Sequence, residues 1–243
     1  MIVSHNELVA VTNKAFLGMR RTCGEADVIA NMVADLQMIG LNGVKHFNNA
    51  TQFLTVEEDS PADIKSMDSN HLVVDLHGGS VACHLPVIID YAIENMVGEK
   101  QFTITLKKCH NRWLAYSELV KLAAKGIACK AFWDNGTSPK RTLYILNRGC
   151  VSPELFLSDS VDLNSINLND MTIELSIRDF DVMALSEGYS IHIDSTELHA
   201  TQENAWRNGI AVDDVDWESL KKTATAILVE NSEQSLKGAG ELV

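Results

Sequence analysis

Residues 101–133 read QFTITLKKCHNRWLAYSELVKLAAKGIACKAFW, and their pattern decides the fold class. The stretch opens with a strand over Gln101 to Lys108. It continues into a helix near Leu114 to Lys125 that Gly126 stops, and closes with a strand over Ile127 to Trp133. Just upstream, HLVVDL at His71 to Leu76 suits another strand, and Gly78-Gly79 suits a turn or a close backbone approach. Leu85 to Val97 then carries helical spacing through Ile88, Ile89, Ala92, Ile93 and Met96, with Gly98 as its cap. The resulting β-α-β-α-β order predicts an α/β chain with a mixed or parallel central sheet and covering helices.

Beyond this block, DNGTSPK at Asp134 to Lys140 is a turn signal and leads into a strand over Arg141 to Asn147. Further strands are expected at Glu154 to Leu157, Met171 to Arg178 and Ser190 to Asp194, with a loop over Asp159 to Asp170. The N-terminal segment is helical. Ser4 with Glu7, and Thr22 with Glu25, have capping-box spacing. The second helix carries the apolar stripe Val28, Ile29, Met32, Val33, Leu36 and Ile39 and ends at Gly40, and a third is expected over Val44 to Leu54. A last helix over Asp216 to Val229 presents Leu220, Ala224, Ile227 and Leu228. The first and last helices are expected to pack together, giving a helical unit from 1–56 and 196–243 around a central α/β unit at 57–195.

At 243 residues and 46% hydrophobic, the chain is long enough to bury a substantial core without disulfide staples. Five cysteines, none closely paired, read as reduced thiols and point to the cytoplasm. No basic leader precedes an apolar run, and no apolar window approaches the roughly 20 residues of a membrane helix. A net charge of −13 repels a phosphate backbone, so neither nucleic acid nor membrane is an expected partner.

Several segments, in order, resemble the malate/L-lactate dehydrogenase family, which also contains ureidoglycolate and sulfolactate dehydrogenases. VSHNELVAVTNKAF and EADVIANMVADLQMIGLNGV resemble its N-terminal helical hairpin and the loop after it. VVDLHGGSVACHLPVIIDYAIEN resembles its strand, glycine turn and helix. In CHNRWLAYSELVKLAAKGIACKAFWDN, His110 and Tyr116 fall in a pattern like its H-x-G-x-x-x-Y. GTSP at 136–139 resembles its GTNP, and NGIAVDDVDWESLKKTA its closing helix. The Gly238-Ala239-Gly240 tail is also similar to that of an uncharacterised bacterial family. The resemblance implies that family's scaffold rather than a Rossmann fold, a homodimer, and hydride transfer between NAD(P) and a small 2-oxo, 2-hydroxy or imino acid.

The family's loop carries an Asp-Ser-His-Gly run whose histidine exchanges a proton with the substrate. Here the run is Gly40-Leu41-Asn42-Gly43, so Asn42 stands in its place. An amide can hold a carbonyl by hydrogen bonding but cannot trade a proton near neutral pH. His46, four residues on, faces the same way if a helix begins near Gly43, and is a candidate substitute. His110 is the other candidate catalytic residue. Arg112, where the family has glycine, is a candidate carboxylate anchor beside Tyr116. Gly78, Gly79, Thr137 and Ser138 lie in stretches whose backbone amides could hold a pyrophosphate, and Asp159 with Ser160 resembles the family's cofactor-binding strand end; these six are the candidate cofactor contacts. The pairs Cys83-His84 and Cys109-His110 lack metal-ligand spacing, so no metal is expected.

Two readings follow from the sequence. In the first, a dehydrogenase-like protein binds a small carboxylate metabolite without catalysis and serves as a binding or accessory protein, with a protein partner. In the second, it is an NAD(P)-dependent oxidoreductase of a small acid.

Overall fold

A computed structural model describes residues 1–21, 23–54, 62–159 and 168–226. Thr22, Ile227, Leu228 and the Gly238-Ala239-Gly240 tail lie outside the described residues. In chain order the elements are β1 (Ile2–Val3), α1 (His5–Gly18), α2 (Cys23–Met38), α3 (Gly43–Leu54), β2 (Asp63–Met67), β3 (His71–Asp75), α4 (Val81–Asn95) and β4 (Gln101–Lys107). A 3₁₀ turn (Arg112–Ala115) runs into α5 (Tyr116–Ala124). Then come β5 (Ala128–Asp134), β6 (Arg141–Leu146), β7 (Glu154–Ser158), β8 (Met171–Ser176), α6 (Val182–Leu185), β9 (Ile191–Ile193), α7 (Ser195–Asn208), β10 (Ile210–Ala211) and α8 (Asp214–Thr225).

Among the described residues, eight strands form one sheet in the order β2-β3-β4-β8-β5-β6-β7-β9, and β1 pairs with β10 in a second, two-stranded sheet. The large sheet is mixed, as β3 and β4 are parallel while its other neighbours are antiparallel. A mixed central sheet is what the β-α-β-α-β order predicts, and the structure adds the strand order around β4 and β5. They run in the same direction, but β8 is inserted between them and pairs antiparallel with both. Alternation makes this possible. Phe102, Ile104 and Leu106 of β4 are buried while Thr103 and Thr105 turn to the other face, matching Ile173 and Leu175 of β8.

The helices cover the buried face. α2 is enclosed on most sides, with Ile29, Met32, Val33 and Leu36 fully buried, and it packs against α1, α3, α4, α5 and α7. α1 also packs on α8, so the first and last helices do meet. One continuous apolar cluster joins these helices to the sheet. Among the described residues, no helix is long and apolar enough to cross a membrane.

Two elements escape the sequence patterns for physical reasons. β2 is an edge strand whose five residues are all exposed, so it shows no buried alternation. α7 buries Leu198 alone and lacks an apolar stripe, although its cap is readable, since Asp194 accepts the Glu197 amide at 2.8 Å. α4 begins one turn earlier than expected, with Ser80 as its N-cap, because the serine hydroxyl accepts the Ala82 amide.

The crossing of α2 and α3 is the tightest backbone approach. A Cβ on Gly43 would collide with the Val33 carbonyl and come within 2.8 Å of the Gln37 nitrogen. Both partners are helix backbone and cannot yield as a flexible side chain would. We expect Gly43→Ala to cost on the order of 3 kcal/mol, measured by chemical denaturation. A loss under about 1 kcal/mol would show that the two helices separate freely.

Candidate functional site

At the start of α3, Asn42 adopts a left-handed conformation, φ +52°, which asparagine tolerates better than most side chains. Its carbonyl accepts the His46 amide at 3.0 Å, closing the first helical turn. Just behind it, the buried amide of Gln37 spans the junction, accepting the Val44 N–H at 3.0 Å and donating to the Ala211 carbonyl at 2.7 Å. From this fixed start the exposed face of α3 presents Lys45, His46 and Asn49, as helical spacing of three and four residues requires.

Those side chains form one wall of a cleft of about 450 Å³. The opposite wall is the loop Asn135, Thr137, Ser138 and Pro139, and Trp113 and Leu157 also line the space. The structure thus brings together Asn42, His46, Thr137 and Ser138, four residues singled out from sequence. Lys45, Asn49 and Trp113 were missed. The first two follow from the α3 periodicity that placed His46, and Trp113 had no sequence signal beyond its aromatic character.

Trp113 stacks on His46, ring centroids 5.2 Å apart and planes 20° from parallel. Burial, and then the Lys45 charge, lower the pKa of His46 to about 4. At neutral pH its ring is an uncharged hydrogen-bonding group and a weak base. Among the described residues, Lys45 is the charged side chain of the lining and no carboxylate lines it.

Other expectations are corrected. Arg112 does not present its guanidinium to the cleft as a carboxylate anchor. Nη1 donates to the carbonyls of Leu168 and Asp170, the latter at 3.2 Å, and Nη2 donates to Asn135 Oδ1 at 3.0 Å. Asn135 passes the restraint on, since its Nδ2 donates to the Pro139 carbonyl at 2.8 Å. Arg112 is therefore a brace behind the loop. Tyr116 is only 2% exposed and packs against Tyr144, inside the core rather than on a substrate.

His110 is not in the cleft lining. Its ring stacks on Phe53, centroids 3.9 Å apart, two turns of α3 or about 10 Å from His46. Its backbone bridges the turn before α4, donating to Gly79 and accepting from Val81. Burial and then Arg112 lower its pKa. Neighbouring Cys109 is pushed up to about 12 by burial, which keeps it a thiol.

The glycine turn does not offer free amides to a pyrophosphate. Gly78 N–H donates to the Lys108 carbonyl at 2.7 Å, Gly79 N–H to the Leu76 carbonyl at 2.6 Å, and His77 N–H to Asp75. Asp159 closes the 135–140 loop instead, accepting from Ser138 Oγ at 3.0 Å and the Lys140 amide at 3.2 Å. Ser160 lies outside the described residues.

Residues 3–82 match a family described as protein of unknown function, DUF3726. No curated protein matches the chain in sequence. Among solved structures, malate dehydrogenase from Pyrococcus horikoshii OT3 superposes with a TM-score of 0.71 at 10% identity, over 96% of this chain and 97% of that one. A putative malate/lactate dehydrogenase from E. coli gives 0.70 at 11%, over 98% of each chain. Delta1-piperideine-2-carboxylate reductase from Pseudomonas syringae pvar. tomato gives 0.65 at 10%, over 92% and 99%. At these identities the likeness establishes the fold, which is that of the malate/L-lactate dehydrogenases.

The state of His46 can be checked directly. Because its folded pKa lies below the usual 6.5, the unfolded chain binds the proton more readily between about pH 4 and 6.5. Its contribution to stability is therefore present above that window and is lost on acidification through it. We expect the His46 ring protons to titrate near pH 4 by NMR. Trp113→Ala, which uncovers the ring, should move the midpoint towards 6.5. A wild-type midpoint already near 6.5 would contradict the burial argument.

Proposed function

We propose that this chain uses the malate/L-lactate dehydrogenase fold to bind a small carboxylate metabolite in the α3 cleft, without proton-exchange catalysis by the family's route. The observation that supports this is the composition of the cleft, where, among the described residues, Lys45 faces a lining of neutral hydrogen-bonding groups without a carboxylate. Such a lining attracts a small anion and leaves the Asn42 and Asn49 amides and the Thr137 hydroxyl for its uncharged oxygens. The neighbours in fold, by their names, act on malate and on a piperideine carboxylate. That points to 2-oxo, 2-hydroxy and imino acids as the ligand class.

Catalysis fares worse on the same residues. Asn42 cannot exchange a proton near neutrality, and His46 is held too far below neutrality to act as a strong base or as an imidazolium donor. Absence of a matched acid or base typically removes about 10²- to 10⁴-fold in rate. The Gly78 and Gly79 amides are spent inside the turn and Asp159 is committed to the 135–140 loop, which supports a ligand other than a dinucleotide at these positions. On this proposal the chain serves as a binding or accessory protein.

Calorimetric titration with pyruvate, oxaloacetate and NADH tests this. We expect saturable binding of at least one acid, weakened about tenfold or more in Lys45→Ala, and none of NADH. No heat from either acid at millimolar concentration would sink the carboxylate reading. Saturable NADH binding would restore the oxidoreductase.

A further inference from the structure

The floor of the cleft rests on an aromatic layer. Trp113, which lines the cleft, meets Trp133 and Tyr144 edge-on at centroid distances of 5.4 and 5.8 Å. Tyr144 in turn contacts Trp133 at 5.4 Å and Tyr116 at 6.4 Å. Strand register adds Thr142, which lies directly across from Trp133 on one side and from Leu157 of the cleft lining on the other. Cross-strand partners share a face of the sheet, so Thr142 lies under the cleft with the tryptophan.

This layer carries an unusual concentration of polar atoms. Trp133 Nε1, Thr142 Oγ1, Tyr144 Oη, Tyr116 Oη and Ser152 Oγ are all buried, and none has a hydrogen-bond partner of good geometry among the described residues. Their residues are at most 3% exposed. The Tyr116 and Ser152 hydroxyls face one another, short of a well-formed bond. Ser152 also lines a separate open pocket of about 290 Å³ with Ser195 and His199, which shares no lining residue with the cleft.

Buried polar groups in folded proteins are nearly always satisfied, and each one left unpaired opposes folding. Five of them in one contiguous layer call for a common partner that both donates and accepts. Their chemistry fits water. Four hydroxyls act as donor and acceptor, and the indole supplies one more donor.

We propose that Thr142, Trp133, Tyr144, Tyr116 and Ser152 form a buried hydration site beneath the cleft, in which internal water supplies their missing hydrogen bonds. The site does not depend on which ligand the cleft takes.

Oxygen-17 relaxation dispersion of water detects internal waters by their long residence, and it needs no ligand. We expect a dispersion step in the wild-type protein that shrinks in Tyr144→Phe and in Tyr116→Phe, with melting temperatures unchanged or lowered. If these hydroxyls are instead dry, removing them relieves a penalty. The step then stays the same, and the phenylalanine variants melt higher. A wild-type protein without a step, or a step indifferent to all substitutions, overturns the proposal. Thr142→Val, a near-isosteric change on the sheet, gives the same two-way reading should the tyrosine variants fail to fold.

Discussion

The absence of a side chain at residue 43 is the constraint on which the site depends. Gly43 lets the first turn of α3 lie against the Val33 carbonyl of α2, closer than any Cβ permits. That approach sets where α3 begins and which of its faces meets the 135–139 loop. The Gln37 amide reinforces it, with one end on the Val44 N–H and the other on the β10 carbonyl at Ala211. A buried amide satisfied at both ends adds direction to a contact that packing alone would leave free to slide. Asn42, Lys45, His46 and Asn49 then fall where they do because a helix repeats about every 3.6 residues from a pinned start.

The opposite wall is fixed by charge in place of close packing. Arg112 is partly buried, and desolvation lowers its pKa despite the opposing pull of Cys109, Asp134 and Asp170. A guanidinium so placed needs partners, and it finds two backbone carbonyls and Asn135. The same residue type that suggested a ligand anchor from sequence is thus consumed in building the wall. Lysine would not replace it well, because three acceptors in a fixed fork match the guanidinium plane and not a single ammonium.

How legible all this was depends on the signal each part emits. α2 and β4 bury one face or nearly all faces, so their apolar spacing announces them. β2 and α7 bury almost nothing and are silent by the same rule, apart from the Asp194 cap. That β8 pairs between β4 and β5 is a long-range fact, and no local pattern encodes it. In the site, Asn42, Thr137 and Ser138 came from two loops that resemble those of a known family, His46 came from helical spacing beyond Asn42, and folding brings these residues together. Arg112, Gly78 and Gly79 lie outside the cleft lining with their groups engaged inside the protein, and Tyr116 lies in the core. Sequence gives the hydrogen-bonding capacity of a group but neither its burial nor whether the protein has already used it.

The same accounting explains why the cleft reads as a place to bind. A dehydrogenase site needs a group that changes protonation during the reaction, and the α3 face offers an amide and a desolvated imidazole in its stead. Raising His46 towards neutrality would require solvent or a carboxylate beside it. The structure supplies Trp113 on one side and Lys45 next to it, both of which favour the neutral ring. With its pKa lowered to about 4, the His46 ring stays neutral across the physiological pH range. A proton-transfer site is instead poised near its own pKa, and the neutral ring of His46 is far from that condition.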